Sequence, residues 1–251
     1  MLIDRLLSKI TRSILERLNV NRGPLNLNSR RGAFHKCWGH VFTNHLHGDY
    51  VEFGVYRGDS LIESIEAFLE FKKWLLEEAV SPEQWRAKQA QSSPLNDKIM
   101  FHGLDTFQGI PANDEHNFTF SEGDFYAAKS VVENRLKKHF TNGITTHLYE
   151  GSFESTGVSL KKTLFNRKIS IANIDCDLES SAMCALNIIE EFLQIGSIIM
   201  FDDYNAFSAN NNKGERAAFS KFREKSRFVY EPYFPYQYVG QAFLTVEAKP
   251  D

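Results

Sequence analysis

Four carboxylates fall in two short stretches, Ile174-Asp175-Cys176-Asp177 and Met200-Phe201-Asp202-Asp203-Tyr204. Each stretch follows an apolar run, so the acids are expected at the ends of two strands. Like charges gathered there repel and raise one another's pKa unless a cation sits between them. Carboxylate oxygens suit Mg²⁺ or another divalent cation, which keeps several waters and takes few protein ligands. A plainer role is capping the helices that follow, which is expected of Asp177 and open for Asp203.

A second constellation opens with Tyr50-Val51-Glu52-Phe53-Gly54-Val55-Tyr56-Arg57-Gly58-Asp59-Ser60. Glycines let a backbone turn sharply and approach a ligand, and a helix start offers unpaired N–H groups. A dinucleotide fingerprint would read GxGxxG, but here the spacing is GxxxGxS with Tyr56 in the middle, so the turn need not serve a pyrophosphate. Glu52 at a strand end suits a cationic or amine-bearing ligand such as a sulfonium amino acid. Leu104-Asp105-Thr106-Phe107 places another acid where nucleoside-binding α/β folds hold a ribose diol. Glu150-Gly151-Ser152-Phe153 adds a small turn and a ring suited to flank adenine. Any one of these is a common turn or helix cap; their succession at strand ends points to a nucleoside-bearing ligand.

These residues need a scaffold of strands alternating with helices. Apolar runs predict strands at Asp49–Gly54, Ile99–Leu104, Thr145–Glu150, Ile169–Ile174 and Ser197–Phe201. Helices are predicted from Ser60 to about Glu78 and from about Ser181 to Leu193. Short apolar strands separated by helices imply a parallel sheet covered on both faces, an α/β doubly wound fold. Arg227–Tyr233 and Ala242–Val246 lie close enough in sequence to pair antiparallel at one edge. Ala79–Lys98 reads as an inserted loop or helical excursion, and Pro111–Asp124 as a lid or binding segment.

Ahead of the first strand, Leu2 to Leu18 carries apolar residues at helical spacing. Residues 1–36 hold eight Lys/Arg against two Asp/Glu, a local net of +6. Packing on the domain or on a second subunit, giving a homodimer through these helices, is favoured over contact with a membrane or anionic carrier. Residues 1–48 are therefore expected to be a helical extension and 49–251 the ligand-binding domain. His35, His40, His45 and His47 share no ligand-like spacing and are expected at the surface or in packing. Phe34, Trp38 and Phe42 fall at helical spacing and are expected in the core.

The whole chain of 251 residues carries a net charge of -3 and is 42% hydrophobic. That length buries roughly three quarters of the unfolded surface without staples, and that charge exerts no general pull on nucleic acid. Cys37, Cys176 and Cys184 are odd in number and lack CxxC spacing, so they read as reduced thiols. No apolar run is long enough to span a bilayer, and charged residues interrupt the N-terminal apolar stretch where a signal peptide would need continuity. A cytoplasmic protein without stable membrane insertion is expected.

The motif Glu52-x-Gly54-x-Tyr56-x-Gly58-x-Ser60 resembles the cofactor loop of metal-dependent, catechol-type O-methyltransferases. More closely, five ordered blocks resemble the macrocin O-methyltransferase family: Val51–Ser60, Gly103–Pro111, Glu150–Thr156, Ile174–Leu178, and Gly196–Tyr204 with Lys213–Phe222. The resemblance implies a Rossmann-like, mostly parallel seven-stranded sheet of the class I methyltransferase type, with an antiparallel C-terminal strand. It implies S-adenosyl-L-methionine as cofactor, held by Glu52, Gly54, Tyr56, Gly58, Ser60, Asp105, Thr106, Gly151, Ser152, Phe153 and Asp175. It implies a metal on Asp175, Asp202 and Asp203, with Asp175 as base, and a sugar-containing small molecule or glycan as acceptor. Asn173 and Glu179 depart from the family's usual HIDxDLY, which bears on substrate fit. The alternatives are a metal-independent methyltransferase, a nicotinamide oxidoreductase, and a non-catalytic binding protein of the same fold.

Overall fold

The computed structural model describes residues 26–93, 98–113, 115, 121–140 and 143–250. The helix expected over Leu2–Leu18, and any dimer contact through it, lie outside the described residues. Helix α1 (Arg30–Thr43) begins at Ser29, whose Oγ accepts the Gly32 N–H at 3.1 Å. Phe34, Cys37, Trp38 and Val41 fall at i, i+3, i+4 and i+7 along it, and all are fully buried.

In chain order there follow β1 (Asp49–Phe53), α2 (Asp59–Glu78), α3 (Gln84–Gln91), β2 (Met100–Asp105), α4 (Lys129–His139), β3 (Thr145–Glu150) and α5 (Phe153–Thr163). The second half contains β4 (Ile169–Ile174), α6 (Glu179–Ile189), β5 (Ile198–Phe201), α7 (Gly214–Lys225), β6 (Phe228–Tyr236) and β7 (Gly240–Ala248). The stretch expected as a loop or helical excursion thus contains α3. The C-terminal hairpin is longer at both strands than its sequence implied.

The sheet has seven strands in the order β3-β2-β1-β4-β5-β7-β6. Strands β1 to β5 run parallel, β7 pairs antiparallel with β5, and β6 pairs antiparallel with β7. This is the expected mostly parallel, doubly wound α/β sheet. Strands β1, β4 and β5 are buried along their whole length, which is why they read as near-continuous apolar runs. Phe34, Trp38, Phe68 and Phe101 pack on one face with Tyr50, while Val51, Phe53, Leu186, Phe201 and Phe219 pack on the other. A buried Phe such as Phe101 contributes about 1.5–3 kcal/mol relative to leaving it exposed.

Strand order reverses between β1 and β4, and ligands in such sheets bind beyond the carboxyl ends at that point. Register brings Phe53 opposite Ile174, and the Asp175 N–H donates to the Phe53 carbonyl at 2.9 Å. The glycine loop and the first acid turn are therefore neighbours by topology.

Candidate active site

A cavity of about 580 Å³ opens at the reversal. Its wall includes Gly54, Tyr56, Asp105, Thr106, Ser152, Phe153, Asp175, Asp177, Asp202 and Asp203, so the expected loop, nucleoside and acid residues meet in one place. Pro111 and Ala112, from the segment expected as a lid, form an apolar side with the flanking Ile110 and Phe125.

The loop after β1 is shaped by its neighbours. Gly54 has φ +86°, and a Cβ there would stand 1.7 Å from the Asp175 carbonyl oxygen. Tyr56 takes a left-handed φ of 47° and Phe107 one of 52°, conformations that cost a non-glycine residue roughly 1–3 kcal/mol. One carboxylate holds both. Asp105 Oδ2 accepts the N–H groups of Val55 at 2.7 Å and Tyr56 at 2.8 Å, and its Oδ1 accepts that of Phe107 at 2.6 Å. The Thr106 hydroxyl donates to the Gly109 carbonyl at 2.8 Å, closing the turn. Ser152 caps α5, and the Phe153 ring meets Phe53 edge to face at 5.1 Å.

Four of the expected cofactor residues, Glu52, Gly58, Ser60 and Gly151, are not on the cavity wall. Glu52 is fully buried beneath the loop. It accepts from the Tyr50 hydroxyl, and from the Ser60 hydroxyl at 2.8 Å. Burial lifts its pKa to about 7 against the pull of those hydrogen bonds. Gly58 is the N-cap of α2, and the Gly151 N–H donates to the Asp105 carbonyl at 3.0 Å. These residues support the loops from below.

The acid wall is electrostatically tense. Burial, then repulsion from Asp202, Asp177 and Asp203, pushes the Asp175 carboxyl well above the usual carboxylate range. Burial, with Asp203 next, lifts Asp177 to about 8. Burial also raises Asp202, although Arg30 pulls it back. Among the described residues no three His, Cys, Asp or Glu side chains form a ready-made metal cluster. Asp202 Oδ1 instead accepts from Gln237 Nε2 at 2.8 Å. The donor chemistry nevertheless fits a hard divalent cation: carboxylates sharing one wall destabilise one another, and Mg²⁺ needs only one or two of them besides waters.

Three contributors to the site carry no local signal in the sequence. Arg30, counted only within a basic stretch, reaches the cavity from α1 and pairs with Glu63 at 2.9 Å. Its pKa rises because Glu63, Asp202 and Asp175 together outweigh burial. Gln237, at the tip of the β6–β7 hairpin, holds Asp202 and donates its backbone N–H to the Asn28 carbonyl at 2.7 Å. Glu215, inside a block noted for resemblance alone, is buried against both acid turns. The histidines behave as expected: His35 packs against Phe71 at 4.6 Å, and His40 pairs with the Gly196 carbonyl at 3.1 Å. No helix among the described residues is long and apolar enough to cross a membrane.

Comparison with known proteins agrees with this geometry. The O-methyltransferase NovP superposes with a TM-score of 0.63 at 17% identity, covering 87% of this chain and 80% of its own. The calicheamicin methyltransferase CalS11 superposes with a TM-score of 0.59 at 21% identity, covering 94% of this chain and 91% of its own. At those identities the likeness is one of fold, the class I methyltransferase sheet. No curated protein matches the sequence. The family described as macrocin O-methyltransferase (TylF) matches residues 91–241, more than half of the chain and all of the acid turns. The chain belongs to this macrocin O-methyltransferase family and is an S-adenosylmethionine-dependent O-methyltransferase.

Proposed function

We propose that the chain methylates a hydroxyl of a sugar or sugar-containing small molecule, with a divalent cation such as Mg²⁺ held by Asp175, Asp202 and Asp203. The observation that carries this reading is the shared cavity: those acids face the same space as Gly54, Tyr56, Asp105, Ser152 and Phe153. Gly54 and Tyr56 would border the methionine part of the cofactor, with Glu52, Gly58 and Ser60 supporting them. Asp105 and Thr106 would face the ribose, and Ser152 and Phe153 the adenine, with Gly151 setting their turn.

A sugar hydroxyl is a poor nucleophile at neutral pH. A bound divalent cation lowers the pKa of a hydroxyl it chelates, as it does for water. Asp175 is the residue to collect the proton, because it lines the cavity directly beside the cofactor loop, where a Cβ at Gly54 would meet its carbonyl oxygen. Such a base contributes about 10²–10⁴-fold. Arg30 offsets part of the acid charge while the acceptor enters. Ile110, Pro111, Ala112 and Phe125 limit water at the reacting oxygen, and the remaining gain comes from holding that oxygen in line with the methyl group.

The test is calorimetric binding of S-adenosylmethionine, followed by methyl transfer to a panel of vicinal-diol sugars with Mg²⁺ or with EDTA. CalS11 is described as a TDP-rhamnose 3′-O-methyltransferase, so TDP-rhamnose belongs in that panel. Cofactor binding with EDTA-sensitive transfer is expected. Absence of cofactor binding sinks the reading, and transfer undiminished by EDTA removes the metal from it.

A further inference from the structure

Glu215 lies in the first turn of α7, where an acid commonly faces solvent and complements the helix dipole. Here it is 1% exposed. Its carboxylate turns away from its own helix and spans two strand ends. Oε1 accepts the Cys176 N–H at 3.3 Å and Oε2 accepts the Asp203 N–H at 2.9 Å. The β4–β5 ladder ends just before this point, with the Asp202 N–H donating to the Ile174 carbonyl at 3.1 Å. One side chain thus continues the connection between the strands past the last rung.

The start of α7 is built to bring Glu215 this close. Gly214 has φ +56°, and a Cβ there would stand 2.8 Å from the Phe207 ring and 3.3 Å from the Asp177 carbonyl. Arg216 secures the residues beyond: its Nε donates to the Tyr204 carbonyl at 3.3 Å, its Nη2 to Asn205 Oδ1, and its guanidinium lies 4.4 Å from the Tyr204 ring centre. Cys176 adjoins Asp175, and Asp203 adjoins Asp202. Any shift of the two braced amides changes the spacing of the carboxylates.

We infer that Glu215 is a positioning residue, which sets the distance between the Asp175 turn and the Asp202-Asp203 turn and so their fitness to hold a divalent cation. This rests on the metal-assisted reading above. Mg²⁺ demands near-ideal octahedral geometry, and ligand distances must hold to about 0.2 Å. A brace at the backbone is therefore felt in cation affinity before it is felt in cofactor affinity.

The experiment compares the full-length wild type with Glu215→Gln and Glu215→Asp, without needing the acceptor. Mn²⁺ binding is read by electron paramagnetic resonance, S-adenosylmethionine binding by calorimetry, and the Cys176 and Asp203 amides by hydrogen exchange. Both variants should bind Mn²⁺ at least tenfold more weakly and exchange those two amides at least tenfold faster, with cofactor affinity within twofold. Glu215→Asp keeps the charge but shortens the reach, so Mn²⁺ affinity equal to wild type in that variant overturns the brace in favour of charge alone. Equal losses of Mn²⁺ and cofactor affinity also overturn it, since they mark general loosening. Should the wild type bind no Mn²⁺, the metal reading fails by itself, and unchanged exchange at both amides in Glu215→Asp then defeats the brace separately.

Discussion

Gly54 passes so near Asp175 that any side chain at position 54 would meet the Asp175 carbonyl oxygen, at 1.7 Å for its first carbon. The glycine is required twice over, for its φ of +86° and for the backbone contact that joins cofactor loop to acid turn. The clash is with backbone, which has no rotamer to yield.

Gly54→Ala should therefore separate the two turns or fail to fold. A destabilisation of about 3 kcal/mol or more is expected from combined strain and overpacking. Chemical denaturation measures it. A variant with wild-type stability and cofactor affinity would contradict the close approach.

Asp105 holds three backbone N–H groups, two of them on left-handed residues. Asp105→Asn replaces one acceptor oxygen with a donor facing another donor. The Val55–Tyr56 turn should loosen, weakening S-adenosylmethionine binding at least tenfold while the melting temperature falls by only a few degrees. Calorimetry beside a thermal melt decides this, and unchanged cofactor affinity would show that the loop stands without Asp105.

Much of this arrangement was legible in the chain, for physical reasons. The β-rich runs Thr145–Glu150 and Ile169–Ile174 coincide with their strands residue for residue, because turn-forming or charged residues bound them. The acids Asp105, Asp175, Asp202 and Asp203 were found because they end such runs, and the sheet puts strand ends together. The hairpin extends beyond its sequence pattern: Pro232 and Pro235 interrupt the β6 alternation, yet both are tolerated because β6 is an edge strand. Arg30 and Glu215 were not legible as site residues. Their partners are brought to them by helix packing, which leaves no local spacing to read. The depth of Glu52 was hidden too, since a strand-end acid looks alike in sequence whether it faces a ligand or lies under a loop.

Acid stability should depend on a buried cluster away from the cavity. Arg167 donates to Asp49 at 2.5 and 2.6 Å, His102 lies 3.4 Å from the same carboxylate, and the Met100 N–H donates to it at 2.9 Å. Burial would raise the Asp49 pKa, but these partners outweigh it and the net shift is downward. A depressed folded pKa stabilises the protein above the unfolded value of about 3.9 and loses that contribution as pH falls through the folded one. Arg167→Met should cost about 2 kcal/mol at pH 7, below the 3–5 typical of a fully buried pair because Arg167 is 33% exposed. Urea titrations from pH 7 toward pH 3 should show that gap narrowing; a gap that widens in acid would reverse the assigned sign.

The proton-acceptor role of Asp175 can be separated from its place in the fold. Its carboxyl is driven above the ordinary range by burial and three neighbouring aspartates, so Asp175→Asn removes a repelling charge along with a base. The variant should fold at least as stably as wild type without cation and bind S-adenosylmethionine within about threefold. Turnover with an accepted sugar should nevertheless fall by about 10²–10⁴-fold. Because Asp175 is also assigned to the cation, turnover must be measured across a Mg²⁺ titration. Recovery to wild-type rate at high Mg²⁺ would mean that Asp175 only holds the cation, whereas a loss that persists at saturation leaves it as the base. Loss of cofactor binding together with turnover would move Asp175 to the cofactor side of the cavity and leave the proton acceptor unassigned.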